Sequence, residues 1–396
     1  MHTETFQRVE DVDVELWSQS AGPMGMALTD SEGHYAFSSM TGNSDYRLSA
    51  ISGDDYLNGV STLDLVMIQR HILAIENLDS PYKLIAADIN GDERINGIDL
   101  VELRKLILGI YAELPQNDSW NYVNADYQFA DATQPWPYDE DITLYQIDQD
   151  MTDNDFVAVK VGDVNEDAIL NLSETVEQMG QDQVRLVYES LDIDNGQYLL
   201  PISFNQDLQM TGLQFELVFS EDIDVIGIEK GRLNLADTEF LLDGGQLRVS
   251  ASRAEAFSSK QGEALFYVVV ASDHALSSCP YGIDYQSFRS ELYTDDLAQV
   301  EILDPDMDIE SPVLFQNMPN PFSEGTRIGF QLPSSCEVVL TVMDANGQRV
   351  KTISGQYAKG RHELQLGSEA LSGNGIYYYK LEACGHTATR KMIRID

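Results

Sequence analysis

The stretch Asp88-Ile89-Asn90-Gly91-Asp92-Glu93-Arg94-Ile95-Asn96-Gly97-Ile98-Asp99 decides how this chain is read. Oxygen-bearing side chains stand at its first, third, fifth, ninth and twelfth places: Asp88, Asn90, Asp92, Asn96 and Asp99. Ca²⁺ is a hard cation that takes roughly six to eight oxygens, and a loop of this spacing supplies them together with the carbonyl of its seventh residue, here Arg94. Ile95, at the eighth place, is apolar where paired loops of this type join through a short β-bridge. The spacing predicts a calcium site.

Working outward, the loop and the helix after it belong to an internal repeat. Shifted by 35 residues, Ser61-Thr62-Leu63-Asp64-Leu65-Val66-Met67-Ile68-Gln69-Arg70-His71-Ile72-Leu73-Ala74-Ile75 overlays the segment from Asn96 to Ile110. Leu65, Ile68 and Ile72 share one helical face, as do Leu100, Leu103 and Ile107, so two helices can bury these stripes against each other. In the first repeat, Asp64 falls at the twelfth loop place, Ser61 at the ninth, Val60 at the eighth and Asp55 at the third, but Gly53 stands first and Leu57 fifth. This loop is degenerate. Asp54, Asp55, Asn58 and Asp64 are its candidate ligands in altered geometry, against the alternative that it folds without metal. A third match begins at Asp163 and places Asn165, Asp167, Asn171 and Glu174 at the remaining ligand positions, with Leu170 eighth. Its sixth residue is Ala168, where glycine is the usual choice, and no helical pattern follows.

Over roughly 51–112 this duplicated loop and helix resembles a dockerin. The resemblance implies a fold that assembles around Ca²⁺. It also implies a cohesin-like partner, met by loop places ten and eleven (Thr62-Leu63 and Gly97-Ile98) and by basic residues on the helices, here Arg70 and Lys105. The Ser/Thr pairs of cellulosomal dockerins are absent, which weighs against a cohesin on another molecule.

The flanks read as β-structure. In 1–50, Val12, Val14 and Leu16 alternate, as do Tyr35 and Phe37, with Asp30-Ser31-Glu32-Gly33 turning between them. This stretch resembles the carboxypeptidase-regulatory-like or Cna-B-like β-sandwiches. Residues 113–183 form an aromatic, β-rich extension that carries the third loop, and Pro135 and Pro137 exclude a helix there. In 184–305 the runs Leu213-Gln214-Phe215-Glu216-Leu217-Val218-Phe219 and Ala264 to Ala271 predict a β-sandwich. It is similar to cohesin-like or carbohydrate-binding-like modules. A dockerin-like and a cohesin-like part in one chain suggest docking in cis, or in trans between neighbours. Finally, 311–396 carries Asn317-Met318-Pro319-Asn320-Pro321-Phe322, Asn346-Gly347, Gly375-Ile376-Tyr377 and Lys391-Met392. These resemble the type IX secretion C-terminal sorting domain, an Ig-like sandwich, which implies the secretion machinery as partner and an extracellular or outer-membrane surface location in a Bacteroidota-type bacterium. The expected fold is thus multidomain and mainly β, with one α-helical calcium loop-helix unit.

Composition sets the limits. Sixty-six acidic against 24 basic residues give a formal charge of −42, which repels nucleic acid and anionic membrane surfaces and attracts divalent cations. No stretch is apolar enough to span a bilayer. The segment after Met1 lacks the basic and apolar regions of a secretory signal, and the modules favour a start further upstream. Cys279, Cys336 and Cys384 have no metal spacing, and a Cys336–Cys384 bridge stays open. The six histidines are dispersed, and Asp139-Glu140-Asp141 are too close in sequence to flank one glycosidic bond, so no catalytic constellation is expected. Trp120, Tyr122, Trp136 and Tyr138 could stack on polysaccharide, but packing of the extension onto the helices is the stronger reading. The expected function is a non-catalytic, calcium-stabilised scaffolding or adhesion region of a large extracellular protein. The alternatives are the accessory tail of a secreted polysaccharide hydrolase whose catalytic domain lies upstream, and a carbohydrate-binding protein.

Overall fold

Alternation of buried and exposed side chains is what sets the strands. In Asp13–Ser18, Val14 and Leu16 are buried, and across the ladder Tyr46 and Leu48 of Ser44–Ile51 are buried on the same face. The computed structural model describes residues 1–53, 55–170, 182–194, 196–220, 222–276, 279–284, 288–305, 312–314, 317, 320, 322–323, 325–344, 347–357, 360–367, 371 and 373–395. Of the residues singled out above, Asp54, Asn171, Glu174, Met318, Pro319, Pro321 and Asn346 lie outside these. The chain is mainly β with several sheets, and among the described residues three helices occur: α1 (Thr62–Ile72), α2 (Pro81–Ala87) and α3 (Gly97–Ile107). None of them is long and apolar enough to cross a membrane.

The chain divides into two compact units, 1–284 with 288–303, and 285–287 with 304–396. In the first, an antiparallel sheet runs in the order Gly22–Leu28, Asp13–Ser18, Ser44–Ile51, Asp141–Ile147. Its fourth strand comes from the aromatic extension, a pairing with no local cue because it spans some ninety residues. The extension also forms the antiparallel pair Trp120–Asn124 and Phe156–Lys160, whose Phe156 and Ala158 pack into the N-terminal core while Val159 joins the helix core. Tyr127, Phe129 and Tyr138 pack against the helices, with Phe129 edge-on to Tyr82. These three aromatics therefore serve packing.

The helix pair follows from its caps and stripes. Ser61 and Asn96 each cap a helix and form a capping box with Asp64 and Asp99. Leu65 and Ile68 meet Leu103, Leu106 and Ile107 in one core with Ile85 and Ile89 of the α2 segment. Beyond it, one long sheet path runs from Asp224–Lys230 through Phe266–Ala271, Gln197–Phe204, Asp182–Val187, Gln299–Leu303, Glu291–Tyr293 and Leu208–Phe219 to Gln246–Ser259 and Phe240–Asp243. Phe215 stacks on Phe266 at 6.3 Å between centroids although their strands are far apart along that path. The sheet thus folds over itself to enclose a core, as a sandwich does.

In the second unit, Gly325–Leu332 pairs with Val313–Leu314 and Gly360–Gly367, while Cys336–Asp344 pairs with Arg349–Tyr357 and with Gly375–Ala383, which in turn pairs with His386–Arg394. Phe330 and Ile328 from one sheet and Leu340, Tyr379 and Met392 from the other make a common core. Asn317 is fully buried: its amide nitrogen donates to Tyr379 Oη and its side chain to Thr326 Oγ1. Cys336 and Cys384 form a disulfide across 48 residues, and Cys279 Sγ donates to the Tyr281 carbonyl at 3.3 Å. Replacing both bridged cysteines by serine should destabilise this unit by about 2–4 kcal/mol through the freed chain entropy. Urea-dependent proteolysis of the full chain, with fragments assigned by mass, should show earlier cleavage within 304–396 and unchanged cleavage in the first unit.

Candidate calcium site and docking face

The loop from Asp88 to Asp99 is held between two helix ends. Asp88 caps the C-terminus of α2, and Asn96 caps the N-terminus of α3. Gly91 and Glu93 adopt left-handed backbone, at φ +67° and +64°, which closes the turn. Asp88 Oδ1 accepts the amide of Asp92 (3.1 Å) and Oδ2 that of Glu93 (2.8 Å). Asp99 Oδ1 accepts from Ile89 (3.0 Å) and Oδ2 from Asn96 (2.8 Å), so one carboxylate ties the loop's start to its end. Asn90 and Asn96 turn their Oδ1 atoms to the amides of Asp92 and Ile98. Burial pushes the Asp88 carboxyl up to about 6 against the two amides that favour its charge, with Asp99 and Asp92 adding repulsion. Asp99 is raised likewise, chiefly by burial. Among the described residues, no group of three or more His, Cys, Asp or Glu side chains is gathered as a metal cluster. The donor set here is mixed instead, carboxylate with amide and carbonyl oxygen, all of it the hard oxygen chemistry that Ca²⁺ accepts.

The degenerate loop is arranged differently. The Asp55 carbonyl accepts from Ser119 Oγ (3.1 Å). Asn58 clamps Ile169, accepting from its amide and donating to its carbonyl, each at 2.8 Å. Asp64 Oδ2 accepts the Ser61 amide (2.9 Å), and its Oδ1 accepts the amide of Val164 (2.9 Å), 100 residues away. The third loop therefore lies against the first. Asp163 accepts the amides of Asp167 (3.2 Å) and Ala168 (2.9 Å), and Asp167 Oδ2 pairs with Arg289 at 3.1 Å. Burial, then Asp167, raises the Asp163 carboxyl to about 6, and burial with Asp163 and Asp167 raises Asp64 well above the ordinary range. Lys160, buried beneath them, donates to Tyr56 O (3.2 Å) and Ser119 Oγ (3.0 Å), and burial lowers it to about 8.

The helices also meet the sandwich. The Thr62 amide, an unpaired donor in the first turn of α1, donates to Gln214 Oε1 at 2.6 Å, and Thr62 Oγ1 lies 2.7 Å from Ser250 Oγ. The Leu108 carbonyl, left open at the end of α3, accepts from Arg248 Nη1 at 3.3 Å. Arg70 reaches the Ala254 carbonyl and Asp295, and Arg104 Nη2 donates to Ser252 Oγ at 2.7 Å. Thr62, Val66 and Ser250 are fully buried. Gly212 lets α1 come this close, since a Cβ there would stand 3.0 Å from Val66 Cγ2. Of the residues read as partner contacts, Thr62 and Arg70 face the sandwich, whereas Lys105 bonds Glu102 and Tyr111 and its neighbour Arg104 takes the contact. Sequence reading missed Gln214, Ser250, Ser252 and Asp295, which carry no motif.

Residues 58–108 match the family model of the dockerin type I domain, and residues 318–395 match that of the secretion system C-terminal sorting domain. No curated protein sequence matches the chain. Among solved structures, dimeric latent PorU from Porphyromonas gingivalis is 11% identical over 98% of this chain and 30% of its own, at a TM-score of 0.21. BcpA, the major pilin subunit of Bacillus cereus, is 8% identical over 99% of this chain and 93% of its own, at 0.22. The biofilm-associated BSP domain is 9% identical over 56% of this chain and 53% of its own, at 0.17. This chain thus spans about a third of the PorU chain and half of the BSP chain, and likenesses of this size bear on neither activity nor partner. The two family matches are what identify the molecule: it carries a dockerin type I domain in its helix pair and, as its second unit, a C-terminal sorting domain that directs it to the cell surface or the extracellular space.

Proposed function

We propose that this chain is a non-catalytic, calcium-stabilised scaffolding or adhesion region of an extracellular protein, exported by the type IX pathway, in which the dockerin is docked in cis on the sandwich beside it. The observation that carries the reading is the occupancy of the dockerin's own contact surface. Thr62 and Arg70 stand where a dockerin would meet a cohesin, and both are spent on Gln214, Ser250, Ala254 and Asp295 of the same chain. The first repeat's contact face is so engaged and closed to a second molecule, while Ile98 of the second repeat stays exposed, and the helix pair joins the N-terminal sheet to the sandwich as one packed stem. Asp88, Asn90, Asp92, Asn96, Asp99 and the Arg94 carbonyl would hold Ca²⁺. Its charge would offset the cost of burying Asp88 and Asp99.

Two measurements test this. Millimolar calcium should raise the melting temperature of the full chain over that in EDTA, with about 2.7 kcal/mol of stabilisation at a hundredfold excess over the dissociation constant. Asp92→Ala, at an exposed loop position, should remove most of that gain without disturbing the fold. An equal melting temperature in both buffers would refute calcium stabilisation. For the docking, Thr62→Cys with Ser250→Cys should form a disulfide within a monomer under oxidation. Cross-linked dimers in place of it would mean docking in trans. Gly212→Val, which forces a side chain against Val66, should weaken the contact by about 1–3 kcal/mol and expose α1 to faster hydrogen exchange.

A further inference from the structure

The hydrogen bonds around Asp163 and Asp64 repeat those of the intact loop, but from two segments. In the intact loop the amide after the first ligand, Ile89, donates to Asp99 Oδ1; here Val164, after Asp163, donates to Asp64 Oδ1. Asp92 and Glu93 donate to the two oxygens of Asp88; Asp167 and Ala168 donate to the two of Asp163. Asn96 donates to Asp99 Oδ2; Ser61 donates to Asp64 Oδ2. The fourth place is left-handed in both, Gly91 at φ +67° and Glu166 at +61°. The two differ at the sixth place, where Glu93 is left-handed and Ala168 is not.

Two further observations bear on a ligand. Asn165 Oδ1, at the third place, is buried and has no hydrogen-bond partner among the described residues, whereas its counterpart Asn90 Oδ1 accepts the Asp92 amide at 3.0 Å. A buried unpaired amide oxygen is costly, and a cation would satisfy it. The segments are also built to touch. A Cβ at Gly59 would lie 2.6 Å from Asp163 Oδ2 and 2.7 Å from the Ala168 backbone, and one at Gly162 would lie 2.8 Å from Leu103 Cδ1.

We infer that the first and third loops are two halves of one calcium site, with Asp163, Asn165 and Asp167 supplying its first half and Ser61 and Asp64 its second. This rests on the calcium reading above and deepens it. Gly53 and Leu57 lack ligand oxygens because the ligands for those places arrive from the third loop. Arg289 on Asp167 Oδ2 and the buried Lys160 are the basic groups facing the site, and the Ile169 carbonyl is already engaged by Asn58.

The test is calcium stoichiometry of the full chain after chelation, by calorimetry and elemental analysis. The wild type should bind about two ions. Asp163→Asn, Asp64→Asn and Asn165→Ala should each leave one, and Asp64→Asn with Asp163→Asn together should still leave one. Asp92→Ala should leave the other, and Asp92→Ala with Asp163→Asn none. Asn165→Ala keeps the test independent of folding, because removing an unpaired buried oxygen should not lower the melting temperature in EDTA. Calcium should also slow exchange of the Ser61 and Val164 amides together. One ion in the wild type, lost in Asp92→Ala and kept in Asn165→Ala, would overturn the split site and leave the calcium reading standing. No ion at all would overturn both. Two ions of which Asp64→Asn and Asp163→Asn remove different ones would show separate sites.

Discussion

Everything in the first unit leans on a carboxylate at the third position of a helix. Asp64 and Asp99 have no solvent-exposed surface, and each closes a capping box while its other oxygen holds an amide at the start of a loop. A charged group so buried is tolerable only when its acceptors are filled, and each of these is filled by amides that themselves need partners. The arrangement fixes the direction of α1 and α3, and with it the stripes of Leu65, Ile68, Leu103 and Ile107 that make the core. Truncating either carboxylate would leave loop amides and a helix start unsatisfied together.

The docking onto the sandwich obeys the same accounting of polar groups. Helix ends present amides and carbonyls that cannot be paired within the helix, and burying them without partners would undo the gain from apolar contact. Gln214 and Arg248 take one from the beginning of α1 and one from the end of α3. These two residues flank the same stretch of paired strands, since Gln214 lies opposite Ser250 and Glu216 opposite Arg248. The face is thus matched to a helix pair in polarity as well as in shape, with Gly212 opening room for Val66. A surface that merely collected an apolar helix would not need this.

What was legible in the sequence was what is local. The intact loop, the two helices, the alternating strands of 184–305 and the motifs of the sorting domain all show within a few residues, because spacing, caps and period-two patterning are short-range rules. The family matches to 58–108 and 318–395 agree with the readings of the dockerin-like repeat and of the sorting domain. What stayed hidden is the meeting of distant segments. Nothing near Asp141–Ile147 says that it pairs with Ser44–Ile51, and nothing near Ser250 says that it meets Thr62. The third loop was visible as a motif, and the first as a defect in one. That the defect and the motif meet depends on the hairpin Trp120–Asn124 with Phe156–Lys160, which returns the chain to the helices just before Gly162.

That return has an energetic consequence. Holding Asp163 beside Asp64 closes a loop of about 100 residues, and the entropic cost of closure grows only as the logarithm of its length, about 0.6 kcal/mol for each doubling. A long loop is therefore little dearer to close than a short one, while the closure it makes constrains far more chain. A cation bridging the two halves would act as a clip between the first repeat and the extension. Because the extension also donates a strand to the N-terminal sheet and packs its aromatics on α2, such a clip would couple sheet, helices and sandwich into one cooperative unit. An intact tandem loop in the first repeat would bind its ion locally and leave that coupling to apolar packing alone. Splitting the loop would make the order of a whole stem answer to calcium, which fits a protein whose charge of −42 would otherwise work against compactness outside the cell.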